Sequence, residues 1–245
     1  TGSEVTRFTV ITDRHTHVKM LITSDRLIPD VALVDPLLTV SCPKSVTAAS
    51  GLDALTHAIE AFISRRANPI SDGFAINAMG RIARFFRRAY ERGDDLEARE
   101  QMLLGALEAG LAFSNASVAL VHGMARPIGA YFGIAHGLSN AMLLPHVMEY
   151  TFDTATERFA EIARALGEPT DGLSVESAAR RAVTAVQQLC RDLSVPTLVA
   201  AGVDGRRVSE LAAQMAEDAL ASGSPGNNPR VPTTDEIVAL YLRAL

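Results

Sequence analysis

The sequence predicts a mainly α-helical fold in two parts, a short β-rich segment at residues 1–40 and an all-helical domain at residues 41–245. The first part contains short runs of β-branched and other apolar residues separated by polar turns, a pattern typical of strands. After Pro43, long stretches rich in Ala, Leu, Ile and Arg place apolar residues three or four positions apart, which is the period of an amphipathic helix. The change of pattern near Pro43 therefore divides the chain.

Each part resolves into separate elements. The β-rich runs at residues 7–12, 17–23 and 31–35 predict three strands. The helical pattern is interrupted by polar or turn-forming residues, most clearly at residues 223–229. It predicts helices at residues 44–64, 70–92, 96–118, 121–130, 137–150, 152–166, 173–193, 205–219 and 234–243.

Composition narrows the class of protein. Of the 245 residues, 48% are hydrophobic and 21% are charged, which is enough apolar material for a buried core. The formal net charge is −5, and the charges are interspersed along the chain. Because there is no basic stripe or polybasic segment, we expect neither a nucleic acid nor a membrane as partner.

Cysteine content and hydropathy indicate the compartment. Cys42 and Cys190 are the two cysteines, and they lie far apart in the sequence. The chain has no apolar run of 18 residues and no charged-then-apolar leader. These features predict a cytoplasmic protein without disulfide bonds.

Asp53 and His57 form the first candidate metal-binding pair. They lie four positions apart on a predicted helix, so their side chains share one face. Such a pair is more often a surface hydrogen bond than a ligand pair. Here the surrounding helix is apolar nearly all round, so we expect both groups to be buried and to need partners. A divalent cation would satisfy a buried carboxylate beside an imidazole.

His122 and His136 form the second candidate pair. They lie at the two ends of a stretch interrupted by Gly and Pro, where the backbone can bend to bring two imidazoles together. Taken singly, each fits a core histidine with ordinary hydrogen bonds. A shared metal would satisfy several of these groups at once. A set of two or three histidines with one carboxylate suits Fe²⁺ or Zn²⁺, and Mn²⁺ or Co²⁺ is also compatible.

Six segments, taken in order, resemble the iron-containing (group III) alcohol dehydrogenase family. They are TGSEVTRFTVITD (1–13), PDVALVDPLL (29–38), ASGLDALTHAIEAF (49–62), AFSNA (112–116), VHGMARPIGAYFGIAHGLSNAMLLPHVMEY (121–150) and GNNPR (226–230). In that family an Asp and three His hold the metal, and they match Asp53, His57, His122 and His136. The resemblance implies a dehydroquinate synthase-like fold, with a helical metal-binding domain after an α/β dinucleotide-binding domain.

The resemblance also implies that the dinucleotide site is incomplete here. The chain begins just after the family's Gly-rich pyrophosphate loop, so residues 1–40 correspond to a remnant of the dinucleotide-binding domain. The positions that match the nicotinamide side are Thr1, Ser3, Lys19 and His136. We therefore expect a fragment that binds metal and is possibly inactive by itself.

The function implied is metal-assisted hydride transfer between an alcohol or aldehyde and NAD(P), in a protein that forms a homodimer. Hydroxy acids and their oxo-acid counterparts are the other substrate class considered. By resemblance Phe113 lines the substrate pocket, although an aromatic residue on a helix equally fits core packing. Arg126 departs from the family, which usually has a second histidine there to pass a proton to solvent. An arginine stays protonated, so it either binds a substrate carboxylate or forms a structural ion pair.

Three alternatives remain from the sequence. Maleylacetate reductase-like members of the same family usually lack the metal-binding Asp, so Asp53 argues against them. The second alternative comprises enzymes of related fold, the glycerol dehydrogenases and the dehydroquinate synthases, of which the latter are lyases, but residues 122–137 resemble the alcohol group more closely. From another class, the chain could be a non-catalytic metal-binding or oligomerisation module.

Overall fold

The computed structural model describes residues 1–12 and 19–245, with only the backbone given at Val10, Thr12 and Lys19–Leu21. The described residues form two strands and nine α-helices, joined by short 3-10 turns. The strands are β1 (Phe8–Thr12) and β2 (Lys19–Thr23). The helices are α1 (Lys44–Ile63), α2 (Pro69–Glu91), α3 (Leu96–Ala116), α4 (Leu120–Phe132), α5 (His136–Thr151), α6 (Thr156–Ala165), α7 (Val175–Asp192), α8 (Gly205–Ala221) and α9 (Thr234–Arg243).

The two strands pair in an antiparallel register that runs from Phe8 opposite Thr23 to Thr12 opposite Lys19. They confirm the first two predicted strands, apart from residues 17 and 18, which lie outside the described residues. The predicted strand at residues 31–35 is wrong. That segment is irregular, and Leu33 is 91% exposed. A strand needs a hydrogen-bonded neighbour, and no described strand pairs with this one.

All nine predicted helices are confirmed, with ends that shift by a few residues for local reasons. The third helix stops at Ala116 because Ser117 has a φ of 68°, a left-handed backbone conformation that ends a helix. The sixth begins at Thr156 because the preceding residues Phe152–Thr154 form a 3-10 turn. Asn68 starts α2, and its side chain accepts hydrogen bonds from two backbone N–H groups of the first turn.

Helix α1 is the centre of the domain, and it packs against α2, α3 and α5. Every residue from Gly51 to Ile63 is buried, which is why this part of the helix is apolar on nearly all of its faces. Helix α5 approaches α1 closely at Gly137, where an added Cβ would lie 2.5 Å from the Ala49 carbonyl oxygen. Because only glycine fits there, the start of α5 is held against the middle of α1.

No single described helix combines the length and hydropathy of a membrane span. Helices α3 and α4 meet that criterion only as a pair, and their axes are bent by 104°.

The amino-terminal loop docks on α3 through two glycines. An alanine Cβ at position 110 would lie 2.2 Å from the Gly2 carbonyl oxygen, a distance at which the backbone must move. We therefore expect Gly110→Ala to lower the free energy of unfolding by about 1–3 kcal/mol, as overpacking does. Urea unfolding measures the loss, and faster amide hydrogen exchange at Val5 and Thr6 locates it.

Gly73→Ala is the matched control for that substitution, because it also adds one methyl group inside a helix. No atom lies within 4 Å of its added Cβ, so we expect stability to rise by up to about 1 kcal/mol from the better helix propensity of alanine. Equal unfolding curves for Gly110→Ala and the wild type would contradict the close docking of the loop.

Glu236 joins α9 to the end of α5. Its carboxylate accepts hydrogen bonds from the Thr233 N–H, the Tyr150 hydroxyl and the Arg230 guanidinium. These contacts, led by the backbone N–H of Thr233, lower the pKa of Glu236 to about 2. The resulting stability is fully present above the ordinary glutamate pKa and is lost as the pH falls towards 2.

We therefore expect Glu236→Gln to unfold with a weaker dependence on pH between about 5 and 2. Since the Arg230–Glu236 ion pair is partly exposed, the free energy of unfolding of the variant near neutral pH should be only about 0.5 kcal/mol below that of the wild type. Urea unfolding over this pH range measures it. Glu210→Gln, an exposed glutamate on α8, should leave the pH dependence unchanged.

Candidate metal centre

A cluster of polar side chains lies where α1, α4 and α5 meet. Asp53 comes from α1, His122 from the first turn of α4, and His136 is the first residue of α5. Asp53 Oδ1 lies 3.5 Å from His122 Nε2 and 3.7 Å from His136 Nε2. One donor atom from each residue lies within 4.8 Å of the other two. Asp53 and His122 are buried, whereas the His136 side chain is 48% exposed, so the cluster reaches the surface on the His136 side.

The donor atoms fit a divalent ion. His122 Nε2 and His57 Nδ1 are buried and make no hydrogen bond with any described residue. A buried polar atom left without a partner costs about 1–3 kcal/mol. One carboxylate with several imidazoles is a ligand set that suits Fe²⁺ and Zn²⁺. A cation between Asp53 and the imidazoles would compensate these unpaired atoms.

His57 lies beside this three-residue group and not within it. Its ring stacks between those of Phe113 and His122, with centroid distances of 4.1 and 4.3 Å. The structure therefore brings together three of the four expected ligands, Asp53, His122 and His136. The fourth is in contact with the cluster through its ring face.

Glu60 is a site residue that the sequence analysis missed. It is buried on α1, two turns after Asp53, and its carboxylate faces the start of α4. The carboxylate accepts hydrogen bonds from the backbone N–H groups of Ala119 (2.9 Å) and Val121 (2.5 Å). It also lies 2.6 Å from His122 Nδ1. Ala119 has no side-chain oxygen to satisfy the first turn of α4, so Glu60 caps this helix from another part of the chain.

The contact with Glu60 fixes the orientation of His122. When the Nδ1–H donates to the carboxylate, Nε2 is left as the lone-pair donor that faces Asp53. A carboxylate in this position also increases the basicity of a metal-binding histidine. The signal in the sequence was a third charged or ionisable residue, after Asp53 and His57, on the largely apolar buried stretch of α1.

Asn140 is the second residue that was missed. It is fully buried one turn after His136 on α5, and its Nδ2 donates to Asp53 Oδ1 over 2.5 Å. The same nitrogen lies 3.2 Å from His136 Nε2. Asn140 therefore ties the carboxylate of α1 to the histidine of α5.

Burial and neighbouring charges set the protonation of the cluster. Burial raises the pKa of Asp53, but His57 and His122 outweigh it and hold the pKa below its ordinary value, so the carboxyl is ionised. Burial lowers the pKa of His57 well below its ordinary value and keeps this imidazole neutral. For His122, contacts with Asp53 and Glu60 overcome the effect of burial and raise the pKa to about 9. A cation that binds at His122 Nε2 must therefore displace a proton.

Phe113 lies on α3 and is 8% exposed. Its ring contacts His57 on one side and stacks at 6.0 Å on Phe8 of β1. It is therefore part of the core and also contacts His57, which lies beside the Asp53–His122–His136 cluster. Its role in lining a substrate pocket stays a prediction.

The residues expected near a nicotinamide lie in different parts of the structure. Thr1 and Ser3 are exposed on the loop that docks on α3. Lys19 begins β2, but its side chain lies outside the described residues. His136 is the member of this set that lies in the metal cluster.

Arg126 lies one turn after His122 on α4 and is partly buried. Its Nη1 donates to the Ser224 hydroxyl over 3.0 Å. Burial lowers the pKa of this guanidinium, and the charge of Glu60 opposes that shift. Arg126 forms no ion pair with a carboxylate of the described residues. The expected structural ion pair is therefore not seen among them.

Two family profiles together match the chain, apart from the residues between 36 and 47. The profile described as "Fe-containing alcohol dehydrogenase family, C-terminal" matches residues 47–245. The profile described as "Iron-containing alcohol dehydrogenase" matches residues 1–36.

Individual relatives agree with the profiles. The chain is 42% identical to the 1,3-propanediol dehydrogenase of Klebsiella pneumoniae over 100% of its own length and 62% of the relative's. It is 40% identical to the NAD-dependent methanol dehydrogenase of Bacillus methanolicus over 100% and 64% of the two lengths. A crystal structure of a 1,3-propanediol oxidoreductase superposes with a TM-score of 0.96 at 43% identity, covering 100% of this chain and 63% of that one. The chain thus spans less than two thirds of the length of these relatives.

Proposed function

Because the chain belongs to the iron-containing alcohol dehydrogenase family, we propose that it is the metal-binding helical part of an NAD(P)-dependent alcohol dehydrogenase. The observation that carries this proposal is the convergence of Asp53, His122 and His136 from three helices on one point. Buried donor atoms without hydrogen-bond partners at that point support a metal. The alcohol or aldehyde is the proposed substrate.

The proposed ligands are Asp53, His57, His122 and His136, with Fe²⁺ as the ion and Zn²⁺ as the second choice. His57 differs from the other three proposed ligands, because its ring is stacked on that of His122 and is not directed at the cluster. Its Nδ1 is buried without a partner, and its imidazole is held neutral. A turn of this ring about its side-chain torsions is therefore expected to accompany metal binding.

The protein groups around the centre have distinct tasks. When bound, the ion supplies the positive charge that polarises the substrate oxygen, and the nicotinamide exchanges the hydride. Glu60 and Asn140 orient His122 and Asp53 towards the ion. Phe113 covers His57 and keeps water from that side of the cluster.

The amino-terminal segment connects the proposed cofactor side with the centre. Phe8 of β1 stacks on Phe113, and Phe113 stacks on His57. The loop that carries Thr1 and Ser3 docks on the same helix, α3, at Gly110. This placement supports a nicotinamide bound between the loop and the exposed side of His136. The contact of Lys19 with the nicotinamide stays a prediction from the resemblance. The division at residue 40, a homodimer and a cytoplasmic location stay predictions.

Metal binding by the 245-residue chain and NAD(P)⁺-dependent alcohol oxidation test the two parts of the proposal separately. We expect one Fe²⁺ or Zn²⁺ ion per chain by elemental analysis after anaerobic loading and removal of excess metal. In the full-length protein we expect NAD(P)⁺-dependent oxidation of small alcohols that stops on chelation. Metal binding without any hydride transfer in the full-length protein would instead support the non-catalytic module, and absence of metal would refute the proposed centre.

A further inference from the structure

We propose that Arg126 binds the carboxylate of the substrate, and that the preferred substrate is a short hydroxy acid or the corresponding aldehyde acid. This inference rests on the proposed function, because it names the substrate class of the same centre.

The first argument is that Arg126 has unused hydrogen-bonding capacity. A guanidinium carries five N–H donors, and the described contact is one bond to the uncharged hydroxyl of Ser224. Two other partly buried arginines of the helical domain are paired with carboxylates, Arg81 with Glu108 and Arg158 with Asp72. The buried Arg99 has no such pair, but it donates to Thr47 and to two backbone carbonyl oxygens. A partly buried cation without a described anion is costly, unless a ligand supplies the missing charge.

The second argument is position. Arg126 lies four residues after His122 on α4, so the two side chains share one face about one helical turn apart. From that helix His122 Nε2 faces Asp53, the carboxylate of the cluster. We therefore place the reacting oxygen of the substrate at the cluster and its far end near Arg126. A carboxylate there meets the planar fork of donors that binds such groups through two parallel hydrogen bonds.

The third argument is that Arg126 is held in place by a rigid neighbour. Its partner Ser224 begins the 3-10 turn Ser224–Asn227, which packs on α4. A Cβ at Gly123 would lie 2.7 Å from Pro225 Cγ, so this turn and α4 are in close contact. The bond to Ser224 thus fixes one edge of the guanidinium and leaves the other donors for a ligand.

Glu60 is the charged residue that could compete for Arg126. Its charge acts on the guanidinium, but it forms no ion pair with it. The Glu60 oxygens are already used by the amides of Ala119 and Val121 and by the ring of His122. The arginine is therefore left for an anion that enters from outside.

The test compares a hydroxy acid with an alcohol of similar size, 4-hydroxybutyrate with 1-butanol, as substrates of the metal-loaded full-length protein. In Arg126→Gln we expect kcat/KM for 4-hydroxybutyrate to fall about 30- to 100-fold, mainly through KM, since hydrogen bonds to charged groups are worth this much. The value for 1-butanol should stay within a factor of about three, because that substrate makes no such bonds. Arg126→Lys keeps the charge without the fork and should give an intermediate loss.

Arg180→Gln is the matched control, since it removes an arginine whose ion pair with Glu149 lies on the exposed surface. It should change neither substrate. A direct binding measurement gives a second readout: butyrate should bind the metal-loaded wild type more tightly than Arg126→Gln by calorimetry.

The outcomes separate the two proposals. Equal losses for both substrates, or butyrate affinity that is independent of Arg126, would overturn the carboxylate site. No turnover of either substrate, together with butyrate binding that depends on Arg126, would refute the dehydrogenase function and leave the anion site standing. Preserved circular dichroism in Arg126→Gln and Arg126→Lys shows that losses come from the site.

Discussion

Replacing Asp53 by Asn is expected to reduce metal affinity by more than about 100-fold, because loss of a residue that merely supports a ligand already costs roughly 10–100-fold. Asp53 is the single carboxylate of the three-residue group and is held ionised by the surrounding imidazoles. An amide has almost the same shape and keeps an oxygen that can accept from Asn140. The substitution therefore removes the charge while it preserves the packing. Elemental analysis and competition with a chelator measure the effect.

Asp192→Asn is the control, because Asp192 makes an ion pair with Arg87 on the partly exposed surface of α7. Its metal content should equal that of the wild type. His122→Ala removes a second ligand from a different helix and should have an effect as large as Asp53→Asn. Unchanged metal content in either ligand variant would show that the ion, if any, is bound elsewhere.

The sequence predicted the helices well because their signals are local. The three- and four-residue spacing of apolar side chains depends only on which face is buried, and that pattern is clear in α2 and α7. The predicted strand at residues 31–35 failed for the opposite reason. A strand is stabilised by a neighbour, and the sequence of the strand itself does not contain that information.

The proposed metal ligands were predictable in part. Asp53 and His57 share a helix, and His122 and His136 flank a bend, so spacing made each pair a candidate, and the resemblance to the family joined the four residues into one set. The orientation of His57 could not, because its ring is fixed by Phe113 of α3, which lies 56 positions away in the chain. Contacts between side chains of separate helices depend on packing that spacing alone does not determine.

The role of Glu60 could not be predicted from the sequence either, because its partners lie on another helix. A buried glutamate on an apolar helix was visible, but its partners begin 59 positions later, at the start of α4. The function of the carboxylate depends on two helices meeting at a particular angle. The structure therefore adds a prediction that the sequence could not make.

Glu60→Gln is expected to lower the free energy of unfolding by about 3–5 kcal/mol, the usual cost of breaking a buried charged contact. A glutamine amide has one acceptor oxygen, and its NH₂ group would point at backbone N–H donors, so it cannot replace both carboxylate oxygens. Urea unfolding of the metal-free protein measures this loss. The control is Glu108→Gln, a partly buried glutamate paired with Arg81, which should cost no more than about 1 kcal/mol.

Stability alone does not separate a cap from a residue that positions His122, so the folded fraction of Glu60→Gln must also be assayed for metal. Because the Nδ1 contact of His122 is weakened, we expect the metal affinity of that fraction to fall about 10–100-fold. A variant that is destabilised but binds metal like the wild type would make Glu60 a helix cap only. A variant with both defects would show that Glu60 has two roles. It would cap the first turn of α4 and also orient His122 at the proposed metal centre.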